Sequence, residues 1–253
     1  MDCLNQQDSV SSVLKVFTIL EALGEQSESG VSELSKRLKM SKATTYRFLQ
    51  TMKSIGFVDQ KGEADKYVLT LKLFELGSNA QEYKGLIELA QKEIKTVAER
   101  TNETVHLGVL HEKSVLYIHK EESSHHLEMH SRAGKRIPLY CSAMGKALLS
   151  HMHTNQVISL LESTEYIRHT QNTHENGELL LKELKQVKKQ KYAEDNEELE
   201  SGLSCIAVPV CDSTGSAIAA ISISLPIIRF NEENRTMFVN SLLAAAANIS
   251  STL

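Results

Sequence analysis

The segment from Val31 to Val58 constrains the fold of this chain more than any other feature. Its sequence, VSELSKRLKMSKATTYRFLQTMKSIGFV, places apolar residues at helical spacing in two short stretches with a tight turn between them. Ser41 is a residue type that caps helix N-termini, and Gly56 suits a C-terminal cap. Between Leu34 and Val58 there are six cationic residues and no acidic one. The segment therefore predicts a helix-turn-helix with a basic second helix.

The start of the second helix favours binding to double-stranded DNA. A recognition helix reads the major groove with its first turns, and small side chains beside cations suit base edges and phosphates. The alternative is a solvated basic face on an ordinary helical hairpin. The residues predicted to contact DNA, two of them from the hairpin that follows, are Ser41, Lys42, Ala43, Thr44, Thr45, Arg47, Lys61 and Lys66.

The residues around the helix-turn-helix predict a winged helix. FVDQKGEADKYVLTL, residues 57–71, alternates apolar and polar residues around a turn at Lys61-Gly62-Glu63, which predicts a two-stranded hairpin. Such a wing follows the phosphate backbone in a winged helix. The preceding SVSSVLKVFTILEALGE predicts a helix that forms the third wall of a small core. Its apolar face, expected to be buried, consists of Val10, Val13, Leu14, Phe17, Ile19, Leu20 and Leu23.

Charge is unevenly distributed along the 253 residues. The net charge of -4 is compatible with DNA binding because the basic residues concentrate in the helix-turn-helix and acidic residues in EDNEELE, residues 194–200. No apolar run approaches the roughly 18 residues that span a bilayer, and the N-terminus has no signal-peptide core. The four cysteines show no CxxC spacing. We therefore expect a cytoplasmic protein with reduced thiols and no membrane association.

The chain is long enough for two domains. We expect a winged helix over 1–70, a helical linker over 71–82 and a second domain over 83–253. One apolar face of the linker is expected to pack on a partner chain. We expect at least a dimer, joined through the helix Ser9–Gly24 and the linker segment Leu71–Gly77, with tetramers possible through the second domain.

The second domain has the pattern of an α+β fold. Alternation from Thr104 predicts a β-hairpin, and a third strand is expected over 125–132. Helices follow, and two further strands flank a turn at 212–215. An amphipathic helix after Asn231 ends the chain. The order predicts a mixed α/β domain around an antiparallel sheet.

Two features of this domain suit a small hydroxylated acid. Ser222 and Ser224 share one face of a predicted strand, where hydroxyls on a rigid sheet can bind a polyol. The turn SAMGK, residues 142–146, opens a helix with small residues, and its N–H groups suit a carboxylate. The alternative for the serines is a solvent-facing strand edge. Asp195 taken alone is one member of an acidic loop.

Motifs along essentially the whole chain resemble those of the IclR-type bacterial transcription regulators. They are SVSSVLKVFTILEALGE, MSKATTYRFLQTMKSIGFV, KYVLTLKLFELGS, PLYCSAMGKALL, EDNEELESGLSCIAVPV and AAISISLP. The resemblance implies a winged helix-turn-helix, a helical linker and a C-terminal effector domain of GAF or profilin-like type. Within the family, the chain is similar to members that repress pectin and hexuronate catabolism and leave their operator on binding 2-keto-3-deoxygluconate.

The same resemblance implies the partners and the effector pocket. It implies a DNA operator, a sugar-acid effector, a homodimer or homotetramer, and no cofactor, metal or catalytic residue. Ser142, Ala143 and Met144 would bind the effector carboxylate. The other implied members, two of them apolar lining, are Met129, Ile137, Asp195, Cys205, Ser222 and Ser224. The resemblance leaves four points open: which of the related carboxylic acids is the effector, the operator, the choice between dimer and tetramer, and any activating role.

Three other clusters suggest different chemistry. Six histidines in the first strands of the second domain could bind a metal, but alternation would send His125 and His126 to opposite faces. A thiol nucleophile at Cys141 or Cys205 would need an oriented histidine that the sequence does not identify. The EDNEELE run could supply paired catalytic carboxylates, although such a loop is expected to be solvated. The alternative function is thus an enzyme or sensor whose helix-turn-helix contacts protein.

Overall fold

The helix-turn-helix predicted between Val31 and Val58 is present in the computed structural model, which describes residues 10–26, 28–61, 66–78, 83–125 and 131–253. Residue contacts divide the chain into an N-terminal unit, Met1–Glu82, and a C-terminal unit, Tyr83–Leu253. Each unit has its own sheet and its own buried core. Within the described ranges, no helix is long and apolar enough to cross a membrane.

The N-terminal unit is a winged helix followed by a helix of the linker. Its elements are α1 (Ser11–Glu25), β1 (Ser29–Gly30), α2 (Val31–Arg37), α3 (Lys42–Ser54), β2 (Val58–Lys61), β3 (Lys66–Leu69) and α4 (Leu71–Ser78). The strands pair antiparallel in the order β1-β3-β2, and Lys61 lies opposite Lys66 at the end of the hairpin. Residues 62–65, which contain most of the predicted turn, lie outside the described residues.

Capping residues set the bounds of α3. Ser41 precedes the helix in an extended conformation, and its hydroxyl accepts a hydrogen bond from the Thr44 N–H at 3.1 Å. Gly56 follows the helix with φ of +81°, in the left-handed region that favours glycine. The core that α3 helps to form contains Ile19, Ala22, Leu23, Leu34, Leu49, Met52, Val58 and Tyr67.

The apolar face predicted for the first helix is only partly buried. Ile19 and Leu23 belong to the core, and Leu20 packs against it. Burial of the first half of this face was wrongly predicted, because α1 extends past the small core that Leu34 and Leu49 fill. Helix α4 also exposes large apolar side chains. The N-terminal apolar surface, as we name these exposed residues, consists of Val10, Val13, Leu14, Phe17, Leu71, Phe74 and Leu76.

The C-terminal unit is an α+β domain around one antiparallel sheet. Its helices are α5 (Lys84–Thr101), α6 (Ala143–Leu149), α7 (Thr154–Glu162), α8 (Gly177–Gln190) and α9 (Glu232–Ser251), with a 3-10 helix at Ile227–Arg229. Its strands are β4 (Thr104–His111), β5 (Ser114–Glu121), β6 (Arg136–Pro138), β7 (Ala193–Asn196), β8 (Leu203–Cys211) and β9 (Ala217–Pro226). They pair in the order β6-β5-β4-β9-β8-β7.

Alternation along β8 divides its side chains between two cores, as the sequence predicts. Ile206 and Val208 join the core that α5 and α9 cover. Cys205 and Ala207 join the core that α6 and α8 cover. The candidate pocket described below lies on this second face.

One edge of the sheet differs from expectation. Of the strand predicted over 125–132, residues 126–130 lie outside the described residues, and the three that are described are not in a strand. The edge is formed instead by β6, which pairs with β5 and places Ile137 opposite Val115.

The acidic run also differs from expectation. Its first residues form β7, which pairs with β8, and both Asp195 and Glu198 are buried. The prediction of a solvated loop is therefore wrong for these two carboxyls. The strand is held by main-chain pairing with a buried neighbour, which its polar side chains do not reveal.

Candidate effector pocket and DNA-contacting helix

Most of the residues predicted to contact DNA lie on α3 or cap it. Lys61 and Lys66 lie at the ends of β2 and β3 that adjoin the hairpin turn. Lys42, Ala43 and Arg47 are exposed on α3. Ser41 is exposed too, but its hydroxyl donates to the Thr44 hydroxyl at 2.8 Å. Helix α3 thus presents cations and a methyl group outward while its first hydroxyls bond to one another.

Two of the predicted contacts have other partners. Thr45 is fully buried and its hydroxyl donates to the Ser41 carbonyl at 3.1 Å, so the structure places this side chain in the core and not on the surface of α3. Lys66 pairs with Glu28 just before β1. Lys61, at the end of the neighbouring strand, is exposed.

A groove between α1 and α3 adds residues that the sequence analysis missed. It is lined by Ser11, Ser12, Lys15, Thr44, Arg47, Phe48 and Thr51. Two cations and several hydroxyls, with no carboxylate among the lining residues, suit an anionic group. Lys15 was missed because α1 was interpreted as a purely structural helix.

The floor of the candidate effector pocket is a row of polar side chains across the sheet. Asp195 on β7 lies opposite Cys205 on β8, which lies opposite Ser224 on β9. Ser222 on β9 lies opposite His106 on β4. The Cys205 thiol donates to the Ser224 hydroxyl at 3.2 Å, and that hydroxyl lies 3.5 Å from His106 Nδ1. All five side chains are buried, so the two serines are not on a solvent-facing edge.

The roof of the pocket is the turn that opens α6. Ser142 caps this helix: its hydroxyl donates to the Pro138 carbonyl at 2.6 Å and accepts from the Gly145 N–H at 3.2 Å. A Cβ added to Gly145 would lie 2.2 Å from the Leu139 carbonyl oxygen, so only glycine allows the helix to pack this closely. The N–H of Ala143, like those of any first helical turn, is not used within the helix.

Floor and roof leave a small cavity of about 50 Å³ between them, which opens to solvent at its mouth. The space is lined by Ser131, Lys135, Ile137, Ser142, Ala143, Met144, Leu199, Glu200 and Leu203, together with the floor residues and Tyr117.

His106 is a polar member of the floor that the sequence analysis did not single out. Its ring stacks on Tyr117 with centroids 4.4 Å apart, and its Nε2 lies 2.7 Å from the Ser131 hydroxyl. Burial, with the charges of Lys120 and Lys135, lowers the pKa of His106 to about 3. The imidazole is therefore neutral, with one nitrogen available as a donor and the other as an acceptor.

Asp195 is a carboxyl with an unusual acidity. Burial raises the pKa of Asp195 to about 7, although the N–H groups of Glu198 and Leu199 and the Lys146 ammonium lower it. Its Oδ1 accepts the Glu198 N–H at 2.7 Å. Near neutral pH this carboxyl is present in both protonation states and can donate or accept a hydrogen bond.

Behind the roof lies a buried ion network. The ammonium of Lys146 on α6 donates to Glu198 Oε1 at 2.6 Å and to Glu183 Oε1 at 2.7 Å. His174 Nε2 lies 2.6 Å from Glu183 Oε2. His174, Glu183 and Glu198 also form the one group of potential metal ligands found among the described residues. Because Lys146 already bridges both carboxylates, the group is an ion network that has its own cation.

The described histidines of the first strands do not converge on a metal site. His111 Nδ1 lies 2.8 Å from an Arg136 nitrogen, and His119 Nε2 lies 3.0 Å from Glu121 Oε1. His125 lies near Glu103 instead. Each of these histidines therefore has its own neighbour in a different part of the unit.

The cysteines of the pocket region do not have the properties of nucleophiles. Burial raises the pKa of Cys141 to about 12 and raises that of Cys205 as well. Both are free thiols in the structure. A nucleophilic thiol requires a lowered pKa, so both behave as small buried side chains.

The pocket brings together most of the residues expected to bind the effector. Met129 lies outside the described residues. The predicted residues that line the pocket are Ile137, Ser142, Ala143, Met144, Asp195, Cys205, Ser222 and Ser224. His106 and Tyr117 were missed because an alternating strand does not reveal which face will carry a pocket.

A winged helix joined to a pocket-bearing α+β unit defines a DNA-binding regulator that responds to a small molecule. Residues 12–62 match the family described as the IclR helix-turn-helix domain, and residues 79–251 match the one described as the bacterial transcriptional regulator IclR C-terminal domain. The chain belongs to the IclR family: it is a ligand-responsive transcriptional repressor and not an enzyme.

Similar proteins agree with this assignment. The chain is 52% identical to the HTH-type transcriptional regulator KdgR of Escherichia coli K12, over 100% of this chain and 96% of that protein. It is 53% identical to KdgR of Dickeya chrysanthemi, over 98% of this chain and 82% of that protein. The crystal structure of Thermotoga maritima IclR superposes with a TM-score of 0.79 at 32% identity, over 97% of this chain and 99% of that one.

Proposed function

We propose that this repressor controls genes of sugar-acid catabolism, such as those for pectin and hexuronates, and that 2-keto-3-deoxygluconate or a related sugar acid releases it from its operator in the cytoplasm. The observation that carries the proposal is the buried floor of Asp195, Ser222 and Ser224 facing the turn that opens α6. Full-length identity of 52% and 53% to two KdgR proteins supports the choice of effector.

The pocket suits the two chemical ends of such an acid. The carboxylate lies at the turn of Ser142, Ala143 and Met144, where N–H groups of a first helical turn point outward. The hydroxyls bind Asp195 and the two serines of β9. Hydroxyls that bind buried polar groups are discriminated strongly, because an analogue without them leaves those groups unpaired.

The DNA-binding surface is formed by α3 and the wing. Arg47 and Lys42 approach the major groove with the exposed start of α3, while Lys61 and Lys66 contact phosphates. Lys15, beside Arg47 in the groove between α1 and α3, adds a further phosphate contact. We assign 1–70 to the DNA-binding domain, 71–82 to the linker and 83–253 to the effector domain.

The repressor acts as a dimer at least, and a tetramer forms if the effector domains also associate. One winged helix contacts too few base pairs for useful specificity, so two copies on symmetric half-sites are required. The N-terminal apolar surface supports this assembly, because its side chains are 51% to 79% exposed. Burying apolar side chains as exposed as these against a partner chain is favourable.

Effector and operator are coupled through the arrangement of the dimer. The effector changes DNA affinity only by binding one arrangement better than another, and a tenfold change requires about 1.4 kcal/mol of difference. The linker is the chain segment that connects the domains, so it transmits the change to the spacing of the winged helices.

Calorimetry with purified protein tests the pocket. 2-keto-3-deoxygluconate is titrated into the parent and into the double variant Ser222→Ala with Ser224→Ala. The double variant should bind the acid at least about tenfold more weakly than the parent, because two buried partners are lost. Ser213→Ala, in the exposed turn between β8 and β9, is the matched control. If the double variant binds as tightly as the parent, the pocket lies elsewhere.

Fluorescence anisotropy on the DNA upstream of the chain's own gene tests the response. The parent should bind this DNA and release it as the acid is added. A panel of related carboxylic acids distinguishes the proposed effector from another acid, and binding that does not weaken with salt would contradict a phosphate-dependent interface.

A further inference from the structure

The Lys146 side chain is fully buried, which is rare for lysine. Burial by itself would lower the pKa of Lys146, but the carboxylates of Glu198 and Glu183 raise it above its usual value. The ammonium is therefore charged inside the domain. It does not line the pocket, so the proposed effector contacts do not account for it.

Hydrogen bonds connect Lys146 to both ends of the pocket. Its N–H donates to the Ser142 carbonyl at 3.0 Å and so closes the first turn of the roof helix. Its ammonium donates to Glu198 Oε1 at 2.6 Å, and the Glu198 N–H donates to Asp195 Oδ1 at 2.7 Å. A continuous path thus runs from the carboxylate end of the pocket to its polyol end.

We infer that Lys146 and Glu198 are positioning residues, which fix the distance between the turn of α6 and the Asp195 carboxyl to suit one length of hydroxylated acid. The inference rests on the proposed function of the pocket. Neither residue touches the effector. The Lys146 ammonium ties α6, which begins with the Ser142 turn, to Glu198 after β7, and Glu198 in turn holds Asp195. The two residues thus set the separation of the turn and the carboxyl, and they also set the charge of Asp195.

The two residues act on Asp195 with opposite sign. The Lys146 ammonium lowers the pKa of Asp195 and the Glu198 carboxylate raises it, in addition to the larger effect of burial. Glu183 contacts the same ammonium from α8 but is not among the groups with the largest effects on the pKa of Asp195. The other titratable side chains around Asp195 are Cys141 from the turn before α6, Cys205 on β8, Tyr117 on β5, His106 on β4, Lys135 before β6 and Glu200 after β7.

The opposite signs give a measurement that a purely structural role would not affect. Binding of 2-keto-3-deoxygluconate is followed by calorimetry from about two pH units below to about two above the Asp195 midpoint in the parent, Lys146→Met, Glu198→Gln and Glu183→Gln. The midpoint of the affinity profile should move up by about one unit or more in Lys146→Met and down in Glu198→Gln. It should stay in place in Glu183→Gln, the matched control.

Affinity at a fixed pH tests the positioning itself. Lys146→Met should weaken binding about tenfold or more, and Lys146→Arg, which keeps a charged donor, should recover most of the loss. If Lys146→Met does not fold, Glu198→Gln compared with Glu183→Gln still gives the downward movement of the midpoint. Thermal unfolding of each variant separates lost stability from lost affinity.

The outcomes distinguish a positioning role of Lys146 and Glu198 from the proposed function of the pocket. If the parent binds the acid but the midpoints do not move, or move in the same direction, Lys146 and Glu198 are not positioning residues and the proposed function stands. If the parent does not bind the acid, the proposed function fails and this inference fails with it. If the midpoints of Lys146→Met and Glu198→Gln move in opposite directions and that of Glu183→Gln stays in place, both the positioning role and the proposed function are supported.

Discussion

The two units of this repressor present their functional groups in opposite ways. In the N-terminal unit, Lys42, Arg47 and the N-terminal apolar surface are exposed. In the C-terminal unit, Asp195 and His106 are buried and hydrogen-bonded to Glu198 and Ser131, which lie outside the strands. A surface for macromolecules is completed by the partner, whereas a pocket for a small molecule is organised before that molecule arrives.

This difference predicts different consequences of mutation in the two units. Changes in the pocket disturb tight packing and buried charge, so they alter the free energy of unfolding as well as binding. Changes on the exposed surface of α3 alter association with DNA or a second chain and leave the unit folded.

Gly145→Ala should have the largest effect. An added Cβ would lie 2.2 Å from the Leu139 carbonyl oxygen, so α6 has to move away from the backbone it packs on. We expect a loss of about 3 kcal/mol or more in the free energy of unfolding and a loss of effector binding. Urea denaturation measures it. Gly85→Ala is the control, because a Cβ added at Gly85 meets open space. This variant should unfold at the same urea concentration as the parent or at a slightly higher one.

Much of the fold was predictable because its signals are local. Ser41 and Gly56 mark the ends of α3, and the alternation of Ile206 and Val208 marks a strand with two buried faces. In such cases the residue and its immediate neighbours determine the conformation, so the pattern is sufficient.

The features that were missed depend on distant neighbours. The β7 strand is polar, and only its pairing with β8 identifies it. His106 belongs to the pocket because β9 brings Ser222 opposite it. The exposure of Phe17 follows from the size of a core built by other helices. A single sequence does not show which strands become neighbours.

Asp195→Asn should change the dependence of stability on pH. The pKa of Asp195 is about 7 in the folded protein and about 3.9 in an unfolded chain, so folding takes up a proton between these values. The parent therefore loses a few kcal/mol of stability as pH rises from about 4 to about 7, and its stability levels off above that range.

The asparagine variant should lack this loss. It should match the parent near pH 4 and exceed it near pH 8, as measured by thermal unfolding across that range. Asp212→Asn is the surface control, because hydrogen bonds from Thr214 and Ser216 lower the pKa of Asp212, so its contribution has the opposite sign and is lost as pH falls. An Asp195→Asn variant that follows the parent at every pH would show that folding does not raise the pKa of this carboxyl.

Phe17→Glu tests the completion of the N-terminal unit by a second chain. Phe17 is 60% exposed on α1, so the unit should fold normally with a glutamate there. If this side chain packs in the dimer, the substitution should weaken association by about 2 to 3 kcal/mol. Sedimentation velocity measures it. The control is Ile228→Glu, at an 87% exposed position in the C-terminal unit, which should leave pairing of the winged helices intact.

Arg47→Ala should have the smallest effect and the one most sensitive to salt. Arg47 is exposed on α3 and borders the groove that Lys15 also lines, so its removal leaves the buried core unchanged. Operator affinity should fall by roughly 1–2 kcal/mol.

If Arg47 binds a phosphate, the slope of log affinity against log salt should decrease by about one and all sequences should weaken alike. If it binds a base edge, specificity relaxes while the slope stays near that of the parent. Lys95→Ala, an exposed cation on α5, is the matched control. An unchanged affinity in the double variant Lys42→Ala with Arg47→Ala would remove α3 from the interface and leave the effector pocket as the only one of the two sites supported.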